Sequence, residues 1–129
     1  MKAATYARIS FLLLVAGSAM AAAPRGAMHT HLKKSLPSAN DTVPSPPNLA
    51  LWFSEKIELP FSRVTIKNLA GVAQPVGTLK FSDASDTAAV LVPVTASLAP
   101  GEYTVGWSAA AQDGHPAKGT FKFTVKAAQ

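Results

Sequence analysis

The chain has 129 residues, no cysteine and a formal net charge of +5. The absence of cysteine excludes disulfide staples, a thiolate nucleophile and thiolate metal ligands. Without Lys2 and Arg8 the charge falls to +3, and the remaining lysines are scattered rather than gathered into a stripe for nucleic acid, so no nucleic-acid partner is expected.

Lys2 and Arg8 precede the apolar run Ile9 to Ala16, and small residues follow from Gly17 to Ala23. This is the three-part plan of a secretory signal peptide, assigned to residues 1–23. The apolar run is shorter than the roughly 20 residues a spanning helix needs. Cleavage after Ala21 or after Ala23 fits an A-x-A-like site. Cleavage after Met28, which would make His29 the first residue, fits less well because Met28 is large. Removal of the signal leaves roughly 105 residues, the size of one small domain. An exported small domain without disulfides points to a bacterial periplasm.

Residues 24–28 read as a flexible lead into a domain over 29–127. His29 to Leu36 is a candidate first strand anchored by Leu32 and Leu36. Pro37 to Asn48 is rich in turn-forming residues, with no room for a helix. Leu49 to Ser54 alternates, with Leu49, Leu51 and Phe53 on one face. Glu55 to Phe61 ends at Pro60 and reads as a loop crossing between sheets. Arg63 to Lys67 is a short strand with Val64 and Ile66 inward. Val76 to Phe81 and Ala88 to Val94 are two further runs, separated by polar residues 82–87.

After the turn at Pro100-Gly101, Tyr103, Val105 and Trp107 share one face. In Lys118 to Lys126, Phe121, Phe123 and Val125 oppose Thr120, Lys122, Thr124 and Lys126. An apolar face against a face of Lys and Thr describes an antiparallel strand with one wet side. About seven short strands with frequent turns predict an all-β fold, a Greek-key β-sandwich or barrel. The expected core is Leu51, Phe53, Val64, Ile66, Leu91, Tyr103, Val105, Trp107, Phe121, Phe123 and Val125.

The three histidines fall into two motifs, His29-Thr30-His31 and Asp113-Gly114-His115-Pro116. In an extended segment residues i and i+2 face the same way, so each motif presents a pair of donors. Pro116 restricts His115 to an extended backbone. If the two motifs meet, His29, His31, Asp113 and His115 offer up to three nitrogens and one carboxylate oxygen. Copper(II) favours such N and O donors in tetragonal geometry. Zinc competes for the same donors but prefers a tetrahedron. Taken singly, each motif also reads as an exposed polar turn or pair.

The ordered motifs His29-x-His31-Leu32-x-x-Ser35-x-Pro37, Leu51-x-Phe53-Ser54-Glu55, Leu98-x-Pro100-Gly101-x-Tyr103-x-Val105-x-Trp107, Asp113-Gly114-His115-Pro116 and Gly119-x-Phe121-x-Phe123-x-Val125 resemble the CopC family. These are small periplasmic copper-binding proteins of bacterial copper resistance, and the likeness runs from His29 to Val125. It implies a cupredoxin-like or immunoglobulin-like Greek-key barrel and a high-affinity Cu(II) site. His29 matches the family's N-terminal histidine, Asp113 its aspartate and His115 its second histidine. His31 matches the His-x-His variant of some members.

Two departures stand out. In the family the histidine at the His29 position usually begins the mature chain and adds its amine to the copper, whereas the better cleavage sites here lie upstream. Some members also carry a methionine-rich Cu(I) site, but this chain has no methionine from His29 onward.

The resemblance implies a periplasmic protein that sequesters or delivers copper, with a CopD-type inner-membrane protein as a partner and membrane contact only through it. The protein is expected to be a monomer and not an enzyme. Two rival readings are a copper-brace oxidative enzyme and a metal-free structural or adhesion β-sandwich.

Overall fold

The alternating runs fold into two sheets that bury their apolar faces against each other. The computed structural model describes residues 29–128. The expected signal peptide, residues 1–23, and the segment 24–28 lie outside the described residues. Seven strands of four residues or more, with two of two residues, are formed: β1 (Leu32–Leu36), β2 (Thr42–Val43), β3 (Asn48–Phe53), β4 (Arg63–Asn68), β5 (Ala73–Gln74), β6 (Lys80–Asp83), β7 (Asp86–Pro93), β8 (Gly101–Ala110) and β9 (Pro116–Val125). A 3-10 turn spans Leu59–Phe61.

One sheet has the order β1-β3-β7-β6 and the other β2-β9-β8-β4-β5. All pairings are antiparallel except β2 with β9. Residues 54–62 carry the chain from β3 in the first sheet to β4 in the second, as Pro60 in that stretch predicts. Strands distant in sequence thereby become neighbours, β3 beside β7 and β4 beside β8, and the fold is a nearly all-β sandwich.

The core follows the predicted alternation. Leu51, Phe53, Val64, Ile66, Tyr103, Val105, Trp107, Phe121, Phe123 and Val125 are all buried. Phe53 and Trp107 meet edge to face across the two sheets, with ring centroids 5.2 Å apart. Tyr103 stacks on Phe123 at 5.7 Å, and its hydroxyl donates to the carbonyl of Ala99 at 2.6 Å. That bond ties the turn before β8 to the strand and satisfies the one polar atom of a buried ring.

Four expectations need correction. Leu91 is half-buried on the outer face, while Val90 and Val92 are in the core. The run Ala88 to Val94 is apolar almost throughout, so it carries no phase; pairing of Val90 with Leu51 and Val92 with Leu49 supplies it. Leu36 is 48% exposed and Ser35 is buried in its place. A bulge between Leu32 and Lys34 sets two steps of β1 against one of β3 and reverses the alternation beyond it. Buried Ser35 donates its hydroxyl to the carbonyl of Pro37 at 2.8 Å.

The strand expected over Val76 to Phe81 begins only at Lys80 and runs on to Asp83 as β6. Val76 makes an isolated bridge to Val94, and polar residues 82–87 instead close the β6–β7 hairpin. Asp83 shapes that turn by accepting both the backbone N–H and the hydroxyl of Ser85 at 2.8 Å. The first strand begins at Leu32 rather than His29, so both N-terminal histidines precede the ladder.

Candidate metal centre

His29, Thr30 and His31 alternate as an extended segment should: both histidines are exposed, and Thr30 between them is buried. Two imidazoles therefore share one outward face. The segment is fastened to the end of β3. The His31 N–H donates to Ser54 Oγ at 3.0 Å, and the Ser54 N–H returns a bond to the His31 carbonyl at 2.9 Å. Thr30 Oγ1 donates to Glu55 Oε2 at 2.9 Å. Sequence reasoning placed Ser54 and Glu55 in a motif but gave them no role. Their signal was a polar pair following directly on an alternating strand.

Asp113 and His115 lie in the hairpin loop between β8 and β9. The Gly114 N–H donates to the Ala111 carbonyl at 2.9 Å, and Gly114 has φ +84°, a conformation that residues with a Cβ rarely adopt. Asp113 Oδ1 accepts the His115 backbone N–H at 3.0 Å, and Asp113 Oδ2 accepts the His115 ring Nδ1–H at 3.1 Å. The backbone bond first, and the ring bond second, hold the Asp113 carboxyl below its ordinary value, since both favour the ionised form. With Nδ1 occupied, His115 presents Nε2 to solvent. Orientation of an imidazole through its other nitrogen is the usual arrangement around a bound metal. The ring is 79% exposed and the carboxylate 56%, so both are open to an ion.

The segment after β3 links the two motifs. Having bonded His31 and Thr30 through Ser54 and Glu55, it bridges Ile57 to Ala111 and donates the Glu58 N–H to the Ala110 carbonyl at 2.8 Å. Glu55 and Lys56 then wall a shallow hollow of about 330 Å³ together with Gln112 and Asp113. Chain ends far apart in sequence thus arrive at one end of the sandwich. Asp113 and His115 touch directly, and His29 and His31 share a face. Among the described residues, however, no group of three or more His, Cys, Asp or Glu side chains is gathered at ligating distance. The two pairs stand as halves around a common segment.

The CopC domain matches residues 32–126. Over 120 residues the chain is 32% identical to copper resistance protein C of Escherichia coli, covering 88% of this chain and 94% of that one. It is 37% identical over 100 residues to protein YobA of Escherichia coli K12, covering 76% and 79%. It also aligns with the crystal structure of PcoC, a methionine rich copper resistance protein from Escherichia coli, with a TM-score of 0.64 and 32% identity, covering 76% of this chain and 99% of that one. With the domain match spanning both sheets, and the sandwich shared with a solved copper resistance protein, the chain belongs to the CopC family.

Proposed function

We propose that this protein binds Cu(II) in the bacterial periplasm, through a domain over residues 29–127, and sequesters the ion or hands it on in copper resistance. The ligands are the imidazoles of His29, His31 and His115, with the Asp113 carboxylate as the oxygen donor. The observation that carries this reading is the segment Ser54–Ile57, bonded on one side to the His-Thr-His segment and on the other to the strand end that launches the Asp-Gly-His loop.

The donor chemistry supports copper in the divalent state. Imidazole nitrogens and a carboxylate suit Cu(II), which also binds such sites more tightly than neighbouring divalent ions. A soft Cu(I) site calls for thioethers, and no methionine lies beyond Met28. In this respect the chain differs from PcoC, which is described as methionine rich. Both pairs are exposed and flank the segment 54–57, so an ion can reach each of them without the core opening. Release to a CopD-type membrane partner then needs no unfolding either. The domain acts as a monomeric binding protein, not an enzyme, in keeping with relatives named for resistance rather than for a reaction.

The test is Cu(II) uptake by the exported protein, with its N-terminus defined by intact mass. Wild type should take up close to one equivalent. His115→Ala should weaken binding by at least about tenfold, the lower end of what disturbing a metal shell costs. Wild type with no near-stoichiometric uptake, or His115→Ala that binds as wild type does, refutes the proposal.

A further inference from the structure

We infer that Thr30 is a positioning residue for the copper site: its buried hydroxyl, locked on Glu55, holds His29 and His31 outward on the side of the Asp113–His115 loop. The inference rests on the copper reading above and names a residue that the ligand set does not contain. Thr30 is 6% exposed, while its two neighbours are exposed, so one side chain of the triplet points inward. That side chain is polar, and it donates to the carboxylate oxygen Glu55 Oε2 at 2.9 Å. A hydrogen bond to an ionised acceptor is among the stronger kinds available to a hydroxyl.

The bond fixes more than one rotamer. His31 is paired with Ser54 by two reciprocal bonds, at 3.0 and 2.9 Å, so the Thr30–Glu55 contact adds a third fastening one residue further out. Three bonds on two adjacent residues, Thr30 and His31, set the facing of the segment, and alternation then turns both imidazoles to solvent. Glu55 also walls the hollow it shares with Asp113, so the anchor of the first histidine pair lies beside the second pair. An incoming ion then closes two oriented pairs, and less ordering of the segment opposes binding. The fastening acts from within the chain, so it operates whether or not His29 carries a free amine.

The experiment compares wild type, Thr30→Val and Thr30→Ser by Cu(II) titration, by the electron paramagnetic resonance spectrum of the copper form, and by thermal unfolding of the metal-free protein. Valine keeps the shape and removes the hydroxyl; serine keeps the hydroxyl. Thr30→Val should bind Cu(II) about tenfold more weakly, equal to about 1.4 kcal/mol. Its copper hyperfine pattern should change, metal-free unfolding should stay cooperative with its midpoint lowered by no more than the loss of one hydrogen bond, and Thr30→Ser should restore the wild-type spectrum. If wild type binds and Thr30→Val matches it in affinity and spectrum, the positioning role is overturned and the copper reading stands. If wild type itself takes up no Cu(II), both are overturned.

Discussion

Replacing Gly119 with alanine tests how tightly the two sheets close over Trp107. Gly119 in β9 pairs with Trp107 in β8, and a Cβ built there comes within 2.7 Å of Trp107 Cζ2, 2.9 Å of Cε2 and 3.2 Å of Nε1. Carbon atoms pack at about 3.5–4.0 Å, so the indole must shift by close to an ångström. It has little room, because Phe53 meets it edge-on at 5.2 Å from the opposite sheet. Overpacking of this kind costs about 1–3 kcal/mol. Removing a strand glycine returns about 0.5–1 kcal/mol of backbone entropy.

The net expectation is a loss of about 1–2 kcal/mol, a fall in melting temperature of several degrees for a domain near 100 residues. Urea unfolding followed by tryptophan fluorescence measures it. Gly106→Ala is the control: its Cβ meets only Thr65 Oγ1, at 3.0 Å, a side-chain atom on the outer face of the sheet. Gly119→Ala with a midpoint equal to or above that of wild type would refute the packing argument.

Tyr103→Phe removes the bond to the Ala99 carbonyl and should cost about 1 kcal/mol in urea unfolding; an unchanged midpoint would mean that the bond is not formed in solution. Leu36→Ser should cost no more than about 1 kcal/mol, because Leu36 is 48% exposed and only about half of a full leucine burial is lost; a loss above about 2 kcal/mol would restore it to the core. The Asp113 carboxyl should titrate below its ordinary value of 3.8 when followed by carbon NMR. A carboxyl held low in the folded state contributes stability above the unfolded value, and the contribution is lost as pH falls through the folded one. The loop therefore keeps its form in mild acid; under the proposed copper reading Cu(II) is expected to leave first, because protons compete for the proposed imidazole ligands. Titration at or above 3.8 contradicts the two bonds from His115.

Much of the fold was legible wherever side chains alternate strictly in type. Tyr103, Val105 and Trp107 in β8, and Phe121, Phe123 and Val125 in β9, announce both strand and inward face. Where alternation fails, so does the reading. The apolar run through Leu91 has no phase of its own, and at Leu36 the bulge in β1 reverses a phase that the sequence states clearly. The β2 strand escaped notice because it is two residues long, inside a proline-rich stretch, and exists only by pairing with β9. The candidate ligands were legible because imidazole is scarce here and both motifs have i, i+2 spacing. Thr30, Ser54 and Glu55 were not, since hydrogen bonds between positions 23 to 25 residues apart leave no local trace.

By itself the sequence determined an all-β chain and most of its core, and it offered a candidate donor set of nitrogen and oxygen, since these depend on residue type and spacing within one strand or loop. The tertiary structure alone decided which face Leu36 and Leu91 present, and that residues 54–57 join His31 to the loop of His115. Register and the crossing between sheets are properties of pairs of strands, and no single stretch of chain encodes a pair.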